Sequence, residues 1–154
     1  MLGIDYTDQL RRMTADVSWE IQLPEEMKNF FQESGPMPSM QGDERRAARM
    51  RVRAKCLAIY EVSLPAFPRS PNPLGVYTTD ISRHGVGFLY SEPLLPEEEV
   101  RLVLPAFWLS ARIARARRLG HKCYQIGARL LARHDPGPEA FNVQRRELVD
   151  AVVV

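Results

Sequence analysis

The feature that most limits the fold of this chain is a series of short apolar segments, each closed by turn-forming residues, that begins near Val52. Residues 52–62 are apolar and mixed, interrupted by Arg53 and Lys55, and predict a first long strand. Residues 63–74 contain four prolines and can only be loop. A β-prone stretch at 75–79 leads to a turn expected at 80–85, and a strand resumes at 87–90. After a turn at 93–99, Val100, Leu102 and Leu104 alternate with other residues, the period of a half-buried strand. Residues 110–118 alternate again, with Ala111, Ile113 and Ala116 set against Arg112, Arg115 and Arg117. Gly120 and His121 suit a tight hairpin, and 122–131 make a last strand. Six or so short strands at this spacing predict a barrel or sandwich, and closing a barrel removes the sheet edges that invite aggregation.

The flanks differ. Residues 1–42 carry three Lys/Arg and seven Asp/Glu, a net of −4, whereas residues 43–154 carry a net of +6. Pro24 followed by Glu25 and Glu26 predicts a helix start, with Met27, Phe30 and Phe31 as its apolar stripe. An earlier helix is expected from Tyr6 to Met13, and Gly35-Pro36 begins a linker. Past His134, an Asp-Pro-Gly-Pro break precedes a terminal helix expected over 139–152. The expected division is therefore a helical extension and linker over 1–42, a barrel over 43–132 and a C-terminal helix over 133–154.

Composition narrows the function classes. No apolar run approaches the roughly 18 residues of a membrane span, and no basic stretch precedes an apolar leader core. Cys56 and Cys123 make neither a disulfide framework nor a zinc quartet; neighbouring strands are one arrangement for them, but buried free thiols are the expectation. A cytoplasmic, reduced setting follows. His84, His121 and His134 lack metal-ligand spacing, so no metal or cofactor is expected. Asp80, Ser82 and His84 are triad residue types, but two-residue spacing in one turn does not supply convergent geometry with an oxyanion hole, so no catalysis is expected.

The remaining signal is cationic. Six Lys/Arg lie between Arg45 and Lys55, a block suited to an anionic partner. Glu44-Arg45-Arg46-Ala47-Ala48-Arg49 stands directly before the first strand, and Asp80-Ile81-Ser82-Arg83-His84-Gly85 stands about 30 residues later. Together they resemble the paired signature of PilZ domains, R-x-x-x-R followed by [D/N]-x-S-x-x-G. Tyr124-Gln125-Ile126-Gly127-Ala128-Arg129-Leu130 looks like the closing strand of that family. The resemblance covers residues 43–132. It implies a mainly-β, six-stranded antiparallel barrel that binds the bacterial second messenger cyclic di-GMP, with Arg45, Arg46, Arg49, Asp80, Ser82 and Gly85 as ligand-binding residues.

The chemistry of those residues agrees. An arginine fork matches phosphate oxygens or the O6/N7 edge of guanine, and its plane stacks on purines. Asp80 is an acceptor for guanine N1–H and N2–H₂, Ser82 adds a hydroxyl, and Gly85 permits either positive φ or close backbone approach. The same turn residues also serve as backbone caps. The spacing is satisfied by Arg49 and Arg53 too; Arg45 and Arg49 are preferred because Met50-Arg51-Val52 then leads into the strand. Arg112, Arg115, Arg117 and Arg118 suit a solvated strand face, with a second cationic wall as the alternative, and Trp108 suits the core or rim. The expected partners are cyclic di-GMP and a downstream protein. An adaptor of the same fold without nucleotide affinity is the first alternative. A single-stranded nucleic-acid barrel is weaker, because no aromatic interleaves the cationic block.

Overall fold

The computed structural model describes residues 5–32, 35–36, 50–67, 69, 72–142 and 146–147. Nine strands are present among them: β1 (Gly35–Pro36), β2 (Met50–Arg51), β3 (Lys55–Ser63), β4 (Leu74–Ile81), β5 (Gly85–Tyr90), β6 (Glu99–Val103), β7 (Trp108–Gly120), β8 (Cys123–His134) and β9 (Arg146–Glu147). Six of these close on themselves. The order β4-β5-β8-β7-β6-β3 is completed by pairing of β3 with β4, and every contact round the ring is antiparallel. The mainly-β, six-stranded barrel expected from the sequence is the fold observed.

Alternation explains the interior. Cys56, Ala58, Tyr60, Val76, Phe88, Val100, Leu102, Leu109, Ala111, Ile113 and Ile126 point inward and form one cluster. Burying each large apolar side chain stabilises the fold by roughly 1.5–3 kcal/mol. The proline-rich loop before β4 contributes Arg69, whose guanidinium holds Glu98 through two bonds of 2.7 Å. Glu98 is fully buried and also accepts the Leu95 N–H at 2.7 Å, so this carboxylate has the partners that burial demands. The β7–β8 hairpin turns at His121-Lys122, where Lys122 takes φ 51°.

Of the flanking segments, the first helix forms where it is expected and the later ones depart from expectation. A helix, α1 (Tyr6–Asp16), is capped by the Asp5 carboxylate on the Asp8 N–H at 2.9 Å. Its Tyr6 and Leu10 pack on Leu57, Ile59, Val103 and Trp108 outside the barrel, and the Tyr6 hydroxyl donates to the Leu104 carbonyl. The helix expected after Pro24 is instead two single 3-10 turns, Glu25–Met27 and Phe30–Gln32. They turn Phe30 onto the barrel, where it is 1% exposed against Tyr77, Leu89, Cys123 and Ile21. The stripe is apolar as expected, but it follows the shape of the sheet beneath it. The helix expected over 139–152 is a 3-10 turn at Pro138–Phe141 followed by β9, which runs parallel to β3; residues 143–145 and 148–152 lie outside the described residues. Cys56 and Cys123 are buried and free, but β3 and β8 are not neighbours, so the two thiols sit in separate clusters. Trp108 is buried in the cluster beneath α1, where it stacks on His134 at 3.8 Å, with Arg101 over its ring at 4.3 Å.

Candidate functional site

A cleft of about 450 Å³ opens on the outer face of β4, β5, β8 and β7. It is lined by Asp80 and Gly85 of the second motif, by Gly87 and Gly127, and by Arg115, Arg117 and Arg129. Its volume lies within the range of small-molecule sites.

Asp80 does not lie in the turn, as expected, but in β4 itself. A bulge between Thr78 and Asp80 puts it there. Tyr77 pairs with Leu89 and Thr78 with Phe88, but the extra residue Thr79 makes Asp80, not Thr79, the partner of Gly87. Ile81 is thereby returned to the core beside Val86, and the Asp80 carboxylate is left on the outer face. The Thr79 hydroxyl donates to Asp80 Oδ1 at 2.7 Å. A Cβ at Gly87 would stand 2.5 Å from Thr79 Oγ1 and 2.7 Å from Asp80 Oδ1, so the carboxylate leans over a strand position where any side chain would displace it.

Ser82 and Gly85 make the turn. The Ser82 N–H donates to the Gly85 carbonyl at 2.9 Å, and the Ser82 hydroxyl accepts the Gly85 N–H at 3.1 Å. Gly85 has no positive φ; of the two reasons for glycine, close approach is the one that applies, since a Cβ would lie 3.3 Å from the Ala128 carbonyl. The Ser82 hydroxyl bonded to turn backbone leaves Asp80, Ser82 and His84 without a nucleophile–base arrangement.

Arg45, Arg46 and Arg49 lie outside the described residues. Met50, the residue after Arg49, begins β2, which pairs with the end of β4: Met50 stands opposite Ile81 and Arg51 opposite Asp80. Arg51 Nε is enclosed and has no hydrogen-bond partner among the described residues. Arg53, the alternative member of the arginine spacing, reaches the bulge beside Asp80. Its Nε donates to the Thr79 carbonyl at 3.2 Å and its guanidinium lies 4.3 Å over the Phe30 ring, joining the N-terminal segment to the bulge.

On the far wall the four arginines divide. Arg112 is tied to Glu99 at 3.2 Å, Arg118 donates to the Gly120 carbonyl, and Arg117 donates to Gln125 Oε1 at 2.8 Å. Arg115 and Arg129 form no salt bridge among the described residues and line the cleft. Sequence reasoning did not single out Thr79, Gly87, Gly127 or Arg129. The available signal was a glycine inside each of two strand patterns, which marks close backbone approach. Among the described residues no group of three His, Cys, Asp or Glu is placed to hold a metal ion, and no helix is long and apolar enough to cross a membrane.

Comparison with known proteins supplies the family. No curated protein and no solved structure matches the chain. The family model described as PilZ domain matches residues 43–139, which contain both motifs, all six barrel strands and the cleft. With well over half its length matched and the closed barrel in place, the chain belongs to the PilZ domain family.

Proposed function

We propose that the chain is a non-catalytic cyclic di-GMP receptor in which the segment bearing Arg45, Arg46 and Arg49 closes over a dinucleotide held at Asp80. The observation that supports this best is the pairing of β2 with β4. It anchors the residue after Arg49 opposite Ile81, and the next opposite Asp80, so the strand that follows the arginine motif runs beside the cleft. Membership of a family of cyclic di-GMP receptors supplies the ligand class.

The chemistry matches the parts. Asp80 accepts from guanine N1–H and N2–H₂, a pattern adenine does not present. Ser82 fixes the turn beside it, with its hydroxyl within reach of an added contact, and Gly85 keeps the adjoining strands close. Arg45, Arg46 and Arg49 supply forks for phosphate and for the guanine face or O6/N7 edge. Ligand contact by the arginine segment changes the surface a partner meets. The link from Arg53 to both Phe30 and the Thr79 carbonyl gives that change a route to the N-terminal segment.

Titration of the intact chain and two variants tests the reading. Arg49→Ala and Asp80→Ala are each expected to weaken binding at least tenfold, about 1.4 kcal/mol or more. Unchanged affinity in both would place the ligand elsewhere.

A further inference from the structure

One cleft residue has no place in either motif, yet the fold aims it at Asp80. Across the outer face, one row of the sheet runs Arg51, Asp80, Gly87, Gly127, Arg115, from β2 through β4, β5 and β8 to β7. The two central positions have no side chain. A Cβ at Gly127 would lie 3.2 Å from Arg115 Nε, 3.3 Å from its Cγ and 3.6 Å from its Cζ. Arg115 therefore leaves β7 and crosses the Gly127 backbone towards β5. From the other side, Asp80 leaves β4 and leans over Gly87. An acceptor and a donor fork thus approach each other over adjacent glycines without forming a salt bridge to each other.

We propose that Arg115 is a specificity-determining contact for guanine. It donates to the O6/N7 edge of the base whose N1/N2 edge is taken by Asp80. Guanine presents donors on one edge and two acceptors on another; adenine replaces O6 with an amino donor. A carboxylate and a guanidinium on opposite walls of one cleft complement the first base and mismatch the second. The other arginines of the β7 wall are engaged by Glu99, Gln125 or a backbone carbonyl, which leaves Arg115 as the fork directed along this row. Gly127 is then needed because a side chain there would strike Arg115, not because the strand needs flexibility. The inference rests on the receptor reading above and adds a residue to it.

The test is affinity for cyclic di-GMP and for its analogue carrying 7-deazaguanine, which lacks the N7 acceptor, measured on the intact chain. The unaltered protein is expected to prefer cyclic di-GMP roughly tenfold, the value of one good bidentate contact. Arg115→Ala, at an exposed position that should not disturb folding, is expected to lose about that factor and to bind both ligands alike. Gly127→Val should reproduce the phenotype by displacing a retained arginine. If Arg115→Ala keeps the original affinity, or loses affinity but still discriminates against the analogue, the base contact is refuted. Asp80→Ala separates the two claims: lost binding there with an unaffected Arg115→Ala overturns this inference and leaves the receptor reading intact. No binding of cyclic di-GMP by the unaltered chain overturns both.

Discussion

Two ends of one sheet face behave in opposite ways. On the outer side of β4, β5 and β8, one end carries Tyr77, Leu89 and Cys123, and the N-terminal segment covers it with Trp19, Ile21 and Phe30. A few residues along the same strands, the outer positions are Asp80, Gly87 and Gly127, flanked by Arg115, and the surface is a cleft. A closed barrel fills its interior with one face of each strand, so the other face is free to be specified by what it meets. Large side chains meet protein; glycines edged by charges leave room for a ligand. Gly75 shows that glycine serves both ends, since Trp19 lies across it and a Cβ there would strike the indole.

The difference can be broken from either end. The largest effect is expected from Phe30→Ala, which removes a side chain that is 1% exposed and should cost about 3–4 kcal/mol, read by chemical denaturation. Asp80→Ala should lower stability by less than that while reducing cyclic di-GMP affinity by about 1.4 kcal/mol or more, measured by calorimetry. Gly87→Ala should weaken the ligand by a similar or slightly smaller amount, because the new methyl displaces Thr79 Oγ1 and Asp80 Oδ1. The smallest change is chemical. Burial raises the pKa of both thiols, so at pH 8 both are protonated and slow to alkylate. Phe30→Ala should lower the Cys123 value towards that of an ordinary thiol and speed its alkylation, while Cys56 inside the barrel stays protected. Equal rates for the two thiols in that variant would show that the covered end is not a separate layer.

How much of this was legible in the sequence follows the same division. Period-two alternation in Val100, Leu102 and Leu104, and in Ala111 and Ile113, located strands whose inner faces are the core. The two motifs gave Asp80, Ser82 and Gly85, which the fold brings to one rim. The local pattern puts Asp80 in the turn because a bulge is a matter of pairing between strands, and one chain segment does not display its partner's register. By pattern Arg115 is equivalent to Arg112, Arg117 and Arg118 for the same reason: only the register sets it across Gly127. The segment after Pro24 has helical apolar spacing, but the conformation that wins is the one that seats Phe30 between Tyr77 and Leu89. Tertiary packing overrides local propensity there. The cationic wall was visible as composition, whereas its division into engaged and cleft-facing side chains depends on where Glu99 and Gln125 fall.

On the proposed reading, the glycine-floored end of the sheet is a cyclic di-GMP site. Isothermal titration of cyclic di-GMP into the intact chain tests it most directly. The expected result is saturable heat that is diminished at least tenfold in affinity by Asp80→Ala. Neither heat nor thermal stabilisation at high micromolar ligand would contradict it.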